Sequence, residues 1–207
     1  MTEPLFRSPP PVIVVGSGNA KKAAELAEFL KELPCEVRSL RAYPPLPEPI
    51  EDGETFEANA RLKARYYAAR LETACLADDS GLVVDALDGA PGVYSARYAG
   101  EPCDDAANNA RVLAELEGVP EERRTARFVC CAALALPDGR CEVAFGAVEG
   151  RIAHACSGDR GFGYDAVFIP DGYTETFGVL DPEIKRRISH RSRALAAIRR
   201  MLEAAGR

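Results

Sequence analysis

The sequence predicts a mixed α/β or α+β protein built on a substantial mixed sheet. Short apolar runs of strand length recur along the chain, and several intervening segments carry apolar residues at helical spacing. The two kinds of segment also mix without strict β–α–β alternation, and no internal repeat or clear domain boundary is visible.

The first run, Val12 to Val15, is followed by Gly-Ser-Gly-Asn and then by a periodic stretch from Ala23 to Leu33, with Leu26, Phe29, Leu30 and Leu33 on one side. That order reads as strand, glycine-containing turn and helix. Glu36 to Leu40 suits a second strand. Pro44, Pro45, Pro47 and Pro49 then break regular structure up to Asp52-Gly53. A helix is expected from about Thr55 to Leu71, with Phe56, Ala60, Ala64, Tyr67 and Leu71 along one face. Ala74 to Ala77 and Leu82 to Val84 read as two short strands flanking a turn at Asp78-Asp79-Ser80-Gly81. An ordered loop over 89–100 and a helix from Asp104 to Leu116 follow. Arg127 to Leu136 and Cys141 to Glu149, joined by Pro137-Asp138-Gly139, form a hairpin. The apolar run Ala166 to Ile169 comes after a glycine-rich loop. Asp181-Pro182 starts a helix. Ser189 caps the last helix, whose buried side is expected to carry Leu195, Ile198, Met201, Leu202 and Ala205.

With 207 residues, the chain is long enough for a core that needs no staples. No stretch approaches the roughly 18 consecutive apolar residues of a membrane span, so no membrane association is expected. Residues 1–11 read as a Pro-rich tail and 12–207 as a single domain. The tail has no apolar core behind a basic flank, so a cytoplasmic protein is expected. Seven cysteines without a CxxC pair read as reduced, mostly buried thiols, with Cys130 and Cys131 on opposite faces of a strand. Only His154 and His190 are available, which disfavours a multi-histidine zinc site. The net charge of −6 argues against a nucleic-acid coat, although residues 181–207 carry eight Lys or Arg against three acids.

Five segments carry candidate chemistry. Gly16 to Lys22 (GSGNAKK) lacks both the Walker A and the dinucleotide spacing, but a glycine-containing turn at a helix start presents backbone N–H groups to an anion. Taken alone it equally suits an ordinary turn with surface lysines. Glu51-Asp52-Gly53 and Asp78-Asp79 offer hard oxygen ligands of the kind Mg²⁺ uses, or else make an acidic surface turn. If Asp78 and Asp79 are extended, their side chains point to opposite faces and only one meets a ligand. Phe162 and Tyr164 beside Asp165 combine rings that stack on a base with a carboxylate that accepts from its edge. Lys185, His190 and Arg191 add donors for a carbonyl or phosphate oxygen.

In this order, SGNAKKAAEL, GETFEANARLKAR, ADDSGLVVDALDGAPGVYSARYAG, GFGYDAVFIPDGY and ISHRSRAL resemble the inosine triphosphate pyrophosphatase family over nearly the whole chain. The resemblance implies an elongated α/β fold with a mixed central sheet flanked by helices, two lobes with a nucleotide cleft between them, and a homodimer. It implies Mg²⁺-dependent hydrolysis of ITP, dITP and XTP to the monophosphate and pyrophosphate. Asp79 matches the general base and a metal carboxylate, with Glu51 as the second candidate. Ser17, Gly18, Asn19, Ala20, Lys21, Lys22 and Lys63 match triphosphate binders, and Ser80 a substrate contact. Phe162, Gly163, Tyr164, Asp165, Lys185, His190 and Arg191 match the residues around the base. The chain departs from the family pattern at Ile50, where an acid is usual, and at Ala166 and Ser192. The competing class is a nucleotide-binding sensor that keeps the cleft without turnover.

Overall fold

The computed structural model describes residues 9–31 and 35–204. Most of the tail, together with Leu33, Ala205 and Arg207, lies outside the described residues. The six strands form one mixed sheet in the order β2-β1-β3-β4-β5-β6, flanked by helices. Strand β1 (Val12–Val15) runs parallel to β2 (Glu36–Ser39) and to β3 (Ala74–Val84), while β5 (Cys141–Ile152) pairs antiparallel with β6 (Phe168–Pro170). The chain divides into two compact units: Met1–Asp79, Cys130–Phe145 and Arg193–Arg207 form the first, and Ser80–Val129 and Gly146–Ser192 the second.

In the first unit, helix α1 (Ala20–Leu30) starts three residues before the expected Ala23. Asn19 caps it, its side chain accepting from the amides of Lys21 and Lys22. Leu26 and Leu30 of α1 and Leu195, Ile198 and Leu202 of α5 (His190–Ala204) pack with Ile13, Val15, Leu76 and Cys130. A second cluster joins Ala60, Ala64 and Tyr67 of α2 (Phe56–Leu71) to Cys75, Ala77, Cys131 and Ala133. Residues 74 and 76 of β3 thus belong to one cluster and 75 and 77 to the other, the period of two that extended chain imposes. Cys130 and Cys131 of β4 (Thr125–Ala135) divide in the same way, as expected.

Two expectations are corrected. Residues 74–84 are one continuous strand rather than two strands about a turn, because Asp78 and Asp79 are buried and find charged and polar partners on helices. Met201 is exposed, unlike Leu195, Ile198 and Leu202. Cysteine burial also holds only in part: Cys75, Cys130 and Cys131 are buried, whereas Cys103 and Cys156 are exposed.

The second unit packs Leu82, Val84, Val112, Leu116, Phe128, Val148, Tyr164, Phe168 and Phe177 into its own core. The Phe128 and Phe168 rings meet with centroids 4.6 Å apart. Helix α3 (Asp105–Glu115), capped by Asp104, is followed by the buried Arg124. The Arg124 guanidinium donates to the carbonyls of Leu116, Ile152 and Ala153 at 2.7, 2.9 and 2.8 Å. It thereby ties one carbonyl at the end of α3, that of Leu116, to two at the end of β5. Helix α4 (Pro182–Ile188) starts at the Asp181 cap as expected, and Ser189 Oγ accepts from the Ser192 amide in the first turn of α5.

Replacing Arg124 by Met keeps the apolar stem but removes the donor to the Ile152 and Ala153 carbonyls and one of the two donors to the Leu116 carbonyl, which keeps the Val119 amide. The variant is expected to unfold about 2–4 kcal/mol more easily in urea. A loss below about 1 kcal/mol would mean that water replaces the guanidinium at little cost.

Candidate active site

The β1–α1 loop of the first unit is tightly seated. The Gly16 amide donates to the Leu76 carbonyl at 2.8 Å, and a Cβ on Gly16 would lie 2.6 Å from Cys75 Sγ. A Cβ on Gly18 would lie 2.0 Å from Glu48 Oε1, so that side chain would have to move aside. Asn19 already caps α1 through Oδ1, at 2.9 Å from the Lys21 amide and 3.1 Å from that of Lys22. Any ligand contact by its side chain therefore falls to the amide NH₂. Lys21 is exposed. Lys22 Nζ turns toward Asp78, 3.9 Å from Oδ2. A pocket of about 630 Å³ borders this loop, lined by Ser17, Gly18, Ala20, Leu46, Glu48 and Tyr67 among others. It does not include Glu51, Lys63 or Asp79.

Helix α2 builds the centre of the acidic cluster. Thr55 caps it, accepting from the Ala58 amide at 3.0 Å. Asn59 and Lys63 follow one turn apart, so their side chains share a face. Lys63 Nζ lies 2.6 Å from Glu51 Oε2 and 3.6 Å from Asp79 Oδ1. Asn59 Nδ2 donates to Asp79 Oδ2 at 3.2 Å. Burial pushes the Asp79 carboxyl above the ordinary carboxylate range, against the opposing pull of Lys63 and Lys22. Burial works against the Lys63 charge, but Asp79, Glu51 and Asp78 outweigh it and raise its pKa.

Among the described residues no group of three or more His, Cys, Asp or Glu is placed to hold a metal. Glu51 and Asp79 are nonetheless hard oxygen donors gathered about a single ammonium group. Two protein carboxylates suit Mg²⁺, which usually completes its shell with water and substrate phosphates.

The second unit carries the remaining candidates. Phe162 leads into a short 3₁₀ turn over Gly163–Ala166. Asp165 is buried, and its Oδ2 accepts from the Phe162 amide at 2.8 Å and from Lys185 Nζ at 2.5 Å. Gly161, at φ 76°, allows this approach, since a Cβ there would lie 2.0 Å from the same oxygen. Lys185 Nζ sits 4.6 Å from the Phe162 ring centroid and the Arg191 guanidinium carbon 5.8 Å from it. Arg191 also donates to Ser80 Oγ at 2.9 Å. His190 is buried and stacked on Phe128 at 4.8 Å. Tyr164 belongs to the core, its hydroxyl donating to the Ser95 carbonyl at 2.8 Å, whereas the Phe162 ring is half-buried beneath Lys185.

The first unit thus brings Lys22, Glu51, Lys63 and Asp79 into one charged cluster with Asp78, beside the loop 17–21. Ser80, Phe162, Asp165, Lys185 and Arg191 gather in the second. The sequence reading missed Asn59, whose signal was a polar residue beside the apolar stripe of α2, one turn before Lys63. It also missed Asn108 and Asn109 of α3. Asn108 holds the Ala99 amide and the Ala96 carbonyl, and Asn109 donates to the Gly163 carbonyl at 2.9 Å.

The model of the Ham1 family matches residues 13–201. A dITP/XTP pyrophosphatase of Desulforamulus reducens is 52% identical over 183 residues, covering 88% of this chain and 91% of that protein. Its counterpart in Rhodopirellula baltica is 52% identical over 184 residues, 88% of each chain. Among solved structures, a HAM1 protein from Coxiella burnetii superposes with a TM-score of 0.86 at 38% identity, covering 93% of this chain and 98% of that one. A nucleoside-triphosphatase / dITP/XTP pyrophosphatase from Mycobacterium abscessus gives 0.76 at 48% identity, covering 90% and 98%.

The raised Asp79 pKa has a consequence for stability in metal-free buffer. A carboxyl that binds its proton more tightly when folded destabilises the fold once it is ionised in both states. That penalty is absent below the unfolded pKa and is fully present above the folded one. Asp79→Asn is therefore expected to melt higher than the parent at neutral pH, with the gain fading on acidification through the carboxylate range. A variant that melts lower at neutral pH would show that Lys63 and Lys22 more than offset the burial.

Proposed function

Because the chain belongs to the Ham1 family, we propose that it hydrolyses non-canonical purine nucleoside triphosphates (dITP, ITP and XTP) to the monophosphate and pyrophosphate. The observation that carries this reading is the buried Asp79 carboxylate held between Lys63 and Asn59, with Glu51 on the same ammonium group. The proposal takes residues 12–207 as one pyrophosphatase domain with a nucleotide cleft, working in the cytoplasm as a homodimer.

Asp79 is the general base of this reading. Its raised pKa makes it a stronger base than an exposed aspartate. Lys22 and Lys63, with backbone N–H groups of the 17–20 loop, stabilise charge on the phosphate oxygens. Glu51 and Asp79 are the residues that would hold Mg²⁺, whose chemistry there is neutralising phosphate charge and activating water. Lys63 holds both carboxylates when no nucleotide is bound, so they do not repel one another apart.

The base end falls to the second unit. Phe162 offers its ring for stacking, and Lys185 and Arg191 are donors for the O6 of hypoxanthine or xanthine. Adenine presents an amino group at that position, which would leave both cations facing a donor. Sites built on a polar pattern reject the wrong pattern strongly.

With Mg²⁺ present, pyrophosphate rather than orthophosphate is expected from dITP, ITP and XTP, and little from ATP. Asp79→Asn is expected to lower kcat by about 10²–10⁴-fold with nucleotide affinity nearly unchanged. Substantial residual turnover would remove Asp79 from the base role. Arg191→Ala should narrow the ITP-over-ATP preference, and an unchanged ratio would take Arg191 out of base selection. Nucleotide binding by the parent without any pyrophosphate release would favour a sensor over an enzyme.

A further inference from the structure

We propose that Asn59 is a positioning residue that fixes the two candidate metal carboxylates relative to one another. This inference rests on the function proposed above. Asn59 is buried in the first turn of α2, and its side chain makes three hydrogen bonds. Oδ1 accepts from the Gly53 amide at 2.8 Å, and Nδ2 donates to the Gly53 carbonyl at 3.2 Å and to Asp79 Oδ2 at 3.2 Å. One amide thus ties the Glu51–Gly53 loop to strand β3.

Lys63, one turn later, makes the same connection by charge, reaching Glu51 on the loop and the other oxygen, Oδ1, of Asp79. The two side chains grip both oxygens of Asp79 and both ends of the acidic loop from one face of one helix. They are not equivalent. Lys63 is a mobile point charge that an arriving phosphate can draw away, whereas the amide bonds of Asn59 involve a backbone peptide unit and persist. Asn59 therefore keeps Glu51 near Asp79 when Lys63 turns to substrate.

The residue type follows from the pattern. The Gly53 amide requires an acceptor, while the Gly53 carbonyl and Asp79 each require a donor, and a short primary amide supplies both. Aspartate would lack the donors and add a third carboxylate beside Asp79 and Glu51. Gly53 is constrained from the opposite side. A Cβ there would lie 2.6 Å from Asn59 Oδ1 and 2.8 Å from the Ala58 Cβ. Gly53→Ala should therefore open the same clamp without touching Asn59.

The test uses the full chain and three variants, Asn59→Ala, Asn59→Ser and Gly53→Ala, with the Asn59→Ala/Gly53→Ala double variant. Mn²⁺ binding without nucleotide is followed by electron paramagnetic resonance, alongside thermal melts and the Mg²⁺ dependence of kcat and KM for dITP. Each single variant is expected to keep a cooperative melt and to weaken Mn²⁺ binding by about 10–100-fold. The loss should fall on kcat and on the Mg²⁺ requirement, with KM for dITP at saturating Mg²⁺ little changed. The double variant should be scarcely worse than the worse single, since both changes break one connection.

Folded variants that bind Mn²⁺ within about twofold of the parent would overturn the proposal. So would a parent that binds no Mn²⁺ without nucleotide, or a set of variants that all lose their cooperative melt, which would make Asn59 a stability element. If the parent releases pyrophosphate from none of the nucleotides, the function proposed above fails. The Mn²⁺ comparison still decides the role of Asn59.

Discussion

Two adjacent carboxylates in the middle of a buried strand are the constraint on which the first unit depends. Asp78 and Asp79 are 2% and 7% exposed, and a buried carboxylate without partners is among the costliest groups a fold can hold. Strand geometry sends them to opposite faces, so no single element can serve both. Helix α1 supplies Lys22 to Asp78, and α2 supplies Lys63 and Asn59 to Asp79. The glycines at 16 and 53 bring the chain close enough for these contacts, against Cys75 on one side and Asn59 on the other. The Cys130 thiol adds a weak contact to Asp78 Oδ2 at 3.8 Å, on the face opposite Cys131.

The same pair explains where the sequence was and was not legible. Strand β1, helix α2, and α4 with its Asp181 cap were readable because each is specified within a few residues. Strand β3 was not. Asp-Asp-Ser-Gly is turn composition by local propensity, and only partners 16 or more residues away in sequence keep it extended. The start of α1 was misplaced because Asn19, read as a triphosphate binder, serves as the cap. Asn59 escaped notice because two of its three bonds go to a backbone peptide, which leaves no pattern in side-chain types.

The second unit solves a different problem, holding one partly exposed ring in a defined place. Phe162 stands on a turn whose amides and carbonyls are nearly all assigned: its own amide to Asp165, the Gly163 amide to Asp105, and the Gly163 carbonyl to Asn109. Tyr164 anchors the turn below through the Ser95 carbonyl, while Ser95 Oγ accepts from the Leu82 amide and donates to the Gly92 carbonyl. Such a platform is ordered before a ligand arrives, so binding loses little conformational entropy there. Some of the polar residues around the ring thus belong to the scaffold of the turn. Asp165 exemplifies this, since its Oδ2 is shared between a backbone amide and Lys185.

Charge balance then links the first unit's architecture to the reaction proposed for it. Lys22 and Lys63 face Asp78, Asp79 and Glu51, so two ammonium groups against three carboxylates leave one net negative charge. A cluster of that sign repels a free triphosphate, whatever the loop amides contribute. A divalent cation would reverse the sign, with Glu51 and Asp79 as its proposed hard oxygen donors. On the proposed function the nucleotide would therefore bind better with the cation than without it. On the proposed function the excess of acid over base is what would couple the nucleotide to the metal, while the raised pKa of Asp79 comes chiefly from its burial, with Glu51 adding to it against Lys63 and Lys22.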